Sequence, residues 1–67
     1  MDKAVRALVE EAQRQGWRAD PTKKGYLLKA PDGVGMVTVH GTPSDSHWLG
    51  NVVSKMRKHG FVWPPRR

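Results

Sequence analysis

Lys23, Lys24 and Tyr26 stand together at the mouth of a short apolar run, within TKKGYLLKA from Thr22 to Ala30. Two ammonium groups so placed can contact phosphates, and a phenol can stack on a base or donate a hydrogen bond. Lys29 lies further along the same segment. His40, His47 and His59 are the side chains best suited to moving protons near neutral pH. Metal-free RNA cleavage needs an acid and a base, and His40 with His47 could supply both. A histidine ending a strand or opening a helix is also an ordinary solvated residue. His59, at the end of a helix, is accounted for by the helix dipole. No His-x-x-x-His spacing and no cysteine occur, so neither a metal site nor a cofactor is expected.

A second candidate set is His47, Asn51, Lys55 and Lys58. They recur every three or four residues, so on a helix they form one stripe. Asn and Lys in such a stripe can track a phosphate backbone. Against this, Lys55, Arg57 and Lys58 also suit the C-terminal end of a helix and can simply stay in water. For Lys23 and Lys24 the competing reading is a soluble loop whose lysines discourage edge-to-edge strand pairing.

Net charge weighs on these choices. The chain has 12 Lys+Arg against 6 Asp+Glu, a formal charge of +6. Up to residue 22, Lys3, Arg6, Arg14 and Arg18 balance Asp2, Glu10, Glu11 and Asp20. The whole excess lies in residues 23–67, where only Asp32 and Asp45 are acidic. A basic half on a neutral half is the electrostatic footprint of a polyanion binder. RNA is the expected partner, with DNA as the alternative. The absence of cysteine fits a reducing cytoplasm, and no apolar run is long enough to span a membrane.

Sixty-seven residues make one small domain, which buries only about 60% of its unfolded surface. DKAVRALVEEAQRQGW reads as a helix with Asp2 as cap. Val5, Leu8, Val9 and Ala12 share its apolar face, and Gly16 ends it. This helix is expected to be scaffold. Gly25–Ala30 and Val34–His40 read as strands around the turn Pro31-Asp32-Gly33. Arg18 to Thr22 would add a third, short strand, marked by Pro21 as an edge or irregular. Thr42 is placed as cap of the last helix, with Pro43 first and Asp45 third in it. Leu49, Val52, Val53 and Met56 form its apolar stripe, Gly50 weakens it or marks close packing, and Gly60 stops it. The expected architecture is α+β, α-β-β(-β)-α: an antiparallel sheet of two or three strands with both helices on one face. The domain would run over 1–61, and 62–67 would be an extended basic tail.

Gly16-Trp17, the Gly25-containing hairpin mouth, Pro31-Asp32-Gly33, Val37-x-Val39 and a second helix ending in Gly60-Phe61 together resemble the HicA toxin family. Thr42, Pro43, Ser44, Asp45, Asn51, Arg57 and Lys58 are also similar to short HicA-like proteins of actinobacteria and their phages. The resemblance runs from about Gly16 to Phe61. It implies a fold like that of double-stranded-RNA-binding domains, RNA as ligand, and mRNA cleavage held in check by an antitoxin. That family keeps its catalytic histidine just after a small residue at the start of the hairpin. Gly25 on the small residue puts Tyr26 there. A phenol with an ordinary pKa near 10 is a poor base at neutral pH. The resemblance therefore implies RNA binding without the usual catalytic group. An active interferase using His40 or His47 is the second expectation. The third is a module, monomeric or homodimeric, that binds an antitoxin or host protein through Trp48, Trp63 and the sheet face.

Overall fold

The computed structural model describes residues 2–44 and 46–65. Helix α1 spans Lys3–Arg14, and Asp2 caps it by accepting a hydrogen bond from the Ala4 amide (2.8 Å). The spacing of Val5, Leu8, Val9 and Ala12 puts all four on one buried face. Gly16 ends the helix at φ 92°, and the Trp17 amide reaches back to the Ala12 carbonyl (2.9 Å). The second helix ends in the same way: Gly60 has φ 91° and the Phe61 amide donates to the Met56 carbonyl (3.2 Å). Each reversal drops an aromatic ring onto the core. Trp17 and Phe61 meet edge to face, with centroids 5.9 Å apart.

Three strands follow, β1 (Arg18–Pro21), β2 (Gly25–Lys29) and β3 (Met36–His40), antiparallel in the order β1-β2-β3. Helix α2 is Trp48–Arg57. The third strand expected around Pro21 exists, and it is an edge. Ala19, Tyr26, Leu28, Val37 and Val39 share the inner face, under both helices, with Leu28 and Val39 sealed from solvent. Arg18, Lys29, Met36, Thr38 and His40 are exposed on the opposite face, which no helix covers. The α+β class, with α-β-β-β-α order, holds.

Three expectations need correction. TKKGYLLKA leads into the central strand, so Lys23 and Lys24 cap the end of the sheet and guard no edge. Helix α2 begins at Trp48, with His47 at the cap position, not at Thr42 and Pro43. Short polar side chains offer the backbone alternatives to helix, and Thr42, Pro43 and Ser44 form an irregular link instead. Asp45, expected in the first turn, lies outside the described residues. The expected tail over 62–67 is packed against the domain at Val62 and Trp63. The Gln15 amide both donates to and accepts from the Val62 backbone (2.9 Å each), and Trp63 stacks on Phe61 (6.0 Å). Arg57 holds the Trp63 carbonyl. Arg66 and Arg67 lie outside the described residues.

At the far end of the β2–β3 hairpin, one carboxylate organises the turn. Asp32 accepts from the amides of Val34 (2.8 Å) and Gly35 (3.0 Å), and its other oxygen meets His59 Nδ1 at 2.8 Å. This bond joins the hairpin to the end of α2. The Gly35 and Val34 amides, with His59 beside them, lower the Asp32 pKa from 3.8 to about 2. Stability from a depressed carboxylate is complete above the unfolded value and is lost as pH falls through the folded one. The melting temperature of the native chain should therefore drop between about pH 4 and pH 2. Asp20, lowered chiefly by its hydrogen bond to Arg18, adds in the same direction. Thermal melts of Asp32→Asn should show a flatter acid limb than the native chain. Superimposable limbs would mean that the Asp32 turn contributes nothing.

Candidate nucleic-acid interface

The β1–β2 turn is built to present lysines. The Thr22 amide donates to the Gly25 carbonyl (2.9 Å), and the Thr22 hydroxyl accepts from the Gly25 amide (3.0 Å). Both ends of the turn are thereby fixed while Lys23 and Lys24 project, exposed, between them. The Lys24 carbonyl accepts from the Gly41 amide (2.7 Å), and the Gly41 carbonyl accepts from the Asp2 amide (2.9 Å). The lysine turn, the end of β3 and the start of α1 therefore converge on one end of the molecule. Gly25 makes this closeness possible. A Cβ there would lie 2.0 Å from the Val39 carbonyl oxygen and 2.6 Å from the Gly41 nitrogen.

The start of α2 joins the same end. His40, Thr42, Pro43, Ser44, Trp48, Asn51 and Val52 line an open hollow of about 390 Å³. His40 from the sheet and Asn51 from the helix stripe thus share one site, which no sequence spacing could have shown. Trp48 is half-buried at its wall. From Asn51 the stripe continues along exposed Lys55 and Lys58. His47 is exposed at the helix start and does not line the hollow. The His40–His47 pair needed for acid–base work is accordingly not gathered into one cavity.

Tyr26 and Lys29 part company. Tyr26 is half-buried on the inner sheet face, opposite Val39, as alternation from Leu28 requires. With Lys3, Arg6, Val9, Glu10 and Gln13 it lines a groove of about 440 Å³ beside α1. Lys29 is on the outer face, 3.4 Å from the Asp20 carboxylate, which Arg18 also holds (2.9 Å). Its charge is already engaged, four residues along β2 from Gly25. The α1 cations Lys3 and Arg6 were missed because amphipathicity says which face of a helix is wet, not what stands beside it. Arg6 is paired with Glu10 at 3.6 Å, which leaves Lys3 as the α1 cation nearest the lysine turn.

Among the described residues, no group of three His, Asp or Glu side chains is placed to hold a metal ion. No helix among them is long and apolar enough to cross a membrane. No family model, curated protein or solved structure matches the chain.

Proposed function

We propose that this chain is a small RNA-binding domain of the HicA-like type that grips the RNA backbone without cutting it, in the cytoplasm of a bacterial cell or phage-infected host. The observation that carries the reading is the convergence of the Lys23–Lys24 turn, His40 and Asn51 at one end, from which exposed Lys55 and Lys58 lead away along α2. The turn supplies two cations, and β3 and α2 supply hydrogen-bonding groups beside them. Lysines at a rigid turn supply phosphate contacts, while Asn51 and His40 can donate to or accept from a 2′-hydroxyl. Binding without cleavage follows from Tyr26. It occupies the position where the resembled family keeps its imidazole, and its ring is half-buried beside α1. An antitoxin or host protein is not needed to explain this surface.

The test is a gel-shift series with labelled single-stranded RNA, duplex RNA and duplex DNA at 50 and 500 mM salt (about a tenfold step). RNA should shift at low salt. With roughly four to six phosphate contacts, affinity should fall by about 1,000-fold or more at high salt. The absence of any shift at 50 mM would overturn the reading. Shortened RNA would assign cleavage instead, and loss of that cleavage in His40→Ala would place the reaction in the hollow.

A further inference from the structure

The two edges of the sheet are not alike. Antiparallel ladders alternate between residues bonded to their partner and residues facing away. The Thr22–Gly25 bond sets this alternation for β1, leaving Ala19 and Pro21 to face outward. Pro21 has no amide hydrogen, so that edge offers little to a further strand. On the other side, the Ala30–Gly35 and Gly41–Lys24 bonds make Leu28–Val37 and Tyr26–Val39 the bonded pairs. The amides and carbonyls of Met36, Thr38 and His40 then point away from β2, and among the described residues no hydrogen bond engages them. Edges of this kind are normally blunted by charge, proline, a bulge or a covering element. β3 carries neither lysine nor proline, and Val34 just before it and Met36 at its start are 76% and 65% exposed.

Helix α2 runs along this edge. His59 lies against Gly35 and Asp32 at one end of β3, and Trp48, Asn51 and Val52 share a hollow with His40 at the other. The lengths are close: the ten residues of α2 span about 15 Å and the five of β3 about 17 Å. Asn51, which faces the hollow at His40, begins the stripe that Lys55 and Lys58 continue. A row of cations therefore flanks a row of alternating backbone donors and acceptors.

The geometry points to β3 as a docking edge for an extended acidic segment of another protein, added as a fourth strand. Two alternatives fit less well. A nucleic-acid backbone presents phosphate acceptors and would leave the outward carbonyls of Met36, Thr38 and His40 without donors. A second copy would bring two α2 helices, each carrying Lys55 and Lys58, over one seam between chains of charge +6. An acidic strand satisfies both backbone rows, covers Val34 and Met36 with outward apolar side chains, and sets carboxylates beside Lys55. The inference is independent of the RNA reading, because its signature is backbone amide protection.

The probe is a synthetic peptide of alternating valine and glutamate, titrated to millimolar concentration and followed by amide hydrogen exchange. The Met36, Thr38 and His40 amides should slow at least tenfold, while those of Ala19 and the α2 residues do not. Thr38→Pro removes one outward donor without touching the β2 ladder, and should abolish that protection while leaving RNA gel shifts unchanged. Lys55→Glu should weaken peptide binding about tenfold, and it serves alone if the proline variant does not fold. Unchanged exchange at millimolar peptide would overturn the proposal. So would the same protection arising without peptide as the protein is concentrated, which would assign the edge to a second copy. RNA alone producing that protection would overturn it as well.

Discussion

Gly25→Ala should unfold the protein or leave it barely stable, with the midpoint of urea denaturation collapsing toward zero. The methyl group would meet backbone on every side: the Val39 carbonyl oxygen at 2.0 Å, the Gly41 nitrogen at 2.6 Å and the His40 carbonyl carbon at 2.9 Å. No side chain can swing aside to relieve these contacts, so the β2–β3 ladder must part at its end. Overpacking of this kind costs about 3 kcal/mol. A domain of this length has only about 3–10 kcal/mol to lose, on the usual per-residue scale. Gly50→Ala makes the matched control. Among the described residues, nothing beyond its chain neighbours and the helix's own backbone lies within 4 Å of a Cβ there, and the residue is exposed inside α2, so the change should raise stability by about 1 kcal/mol. If Gly25→Ala melts with the native chain, the close approach of Lys24 to Gly41 is not what the fold requires.

These two glycines also mark what a sequence can and cannot show. Gly50 stood in the interior of a periodic helix, and its cost was legible while its reason, packing or weakness, was not. The empty space around it decides for weakness. Helix α1 was legible almost residue by residue, because its cap, apolar stripe and terminating glycine all agree. Alternation gave the strand faces too, including the inward turn of Tyr26 once Leu28 is in the core. The start of α2 was not legible. Thr42-Pro43 carries a genuine capping signal, and the chain uses it for a link that returns from β3 to the helix side of the sheet. Local propensity contains no record of that distance.

The candidate site divides along the same line. Its members were visible as residue types, but their grouping depends on long-range contacts. Lys24 meets Gly41, and His40 shares a hollow with Asn51, across separations that no periodicity encodes. Likewise, nothing local in the sequence announces that His59 will close on Asp32, since a cation at a helix end already has a sufficient local reason. Strand order mattered most for Lys23 and Lys24. Two strands would have put them on an edge. The short β1 places them at the end of a three-stranded sheet, facing the same way as the start of each helix.

Replacing both turn lysines, Lys23→Glu with Lys24→Glu, should therefore lower RNA affinity by about 10- to 100-fold near 0.1 M salt. Each phosphate contact on a single strand contributes about 0.7 to the slope of log affinity against log salt, so the slope should flatten by about 1.4. The fold should be unaffected to within about 0.5 kcal/mol, because both side chains are exposed and their turn is held by Thr22 and Gly25. Lys29→Glu makes the same single reversal on the open sheet face, where Asp20 already engages the lysine. Its effect on binding should stay within about threefold, the residue of a long-range field screened over roughly 8–10 Å at ordinary salt. Filter-binding titrations of the three proteins across a salt series separate the possibilities. A loss for Lys29→Glu equal to half that of the double variant, in log units, would mean that RNA senses only net charge. A loss confined to Lys29→Glu would move the interface to the open face of the sheet. Only a loss concentrated at Lys23 and Lys24, with the shallower slope, fits an RNA backbone held at the end where β2, β3 and both helices meet.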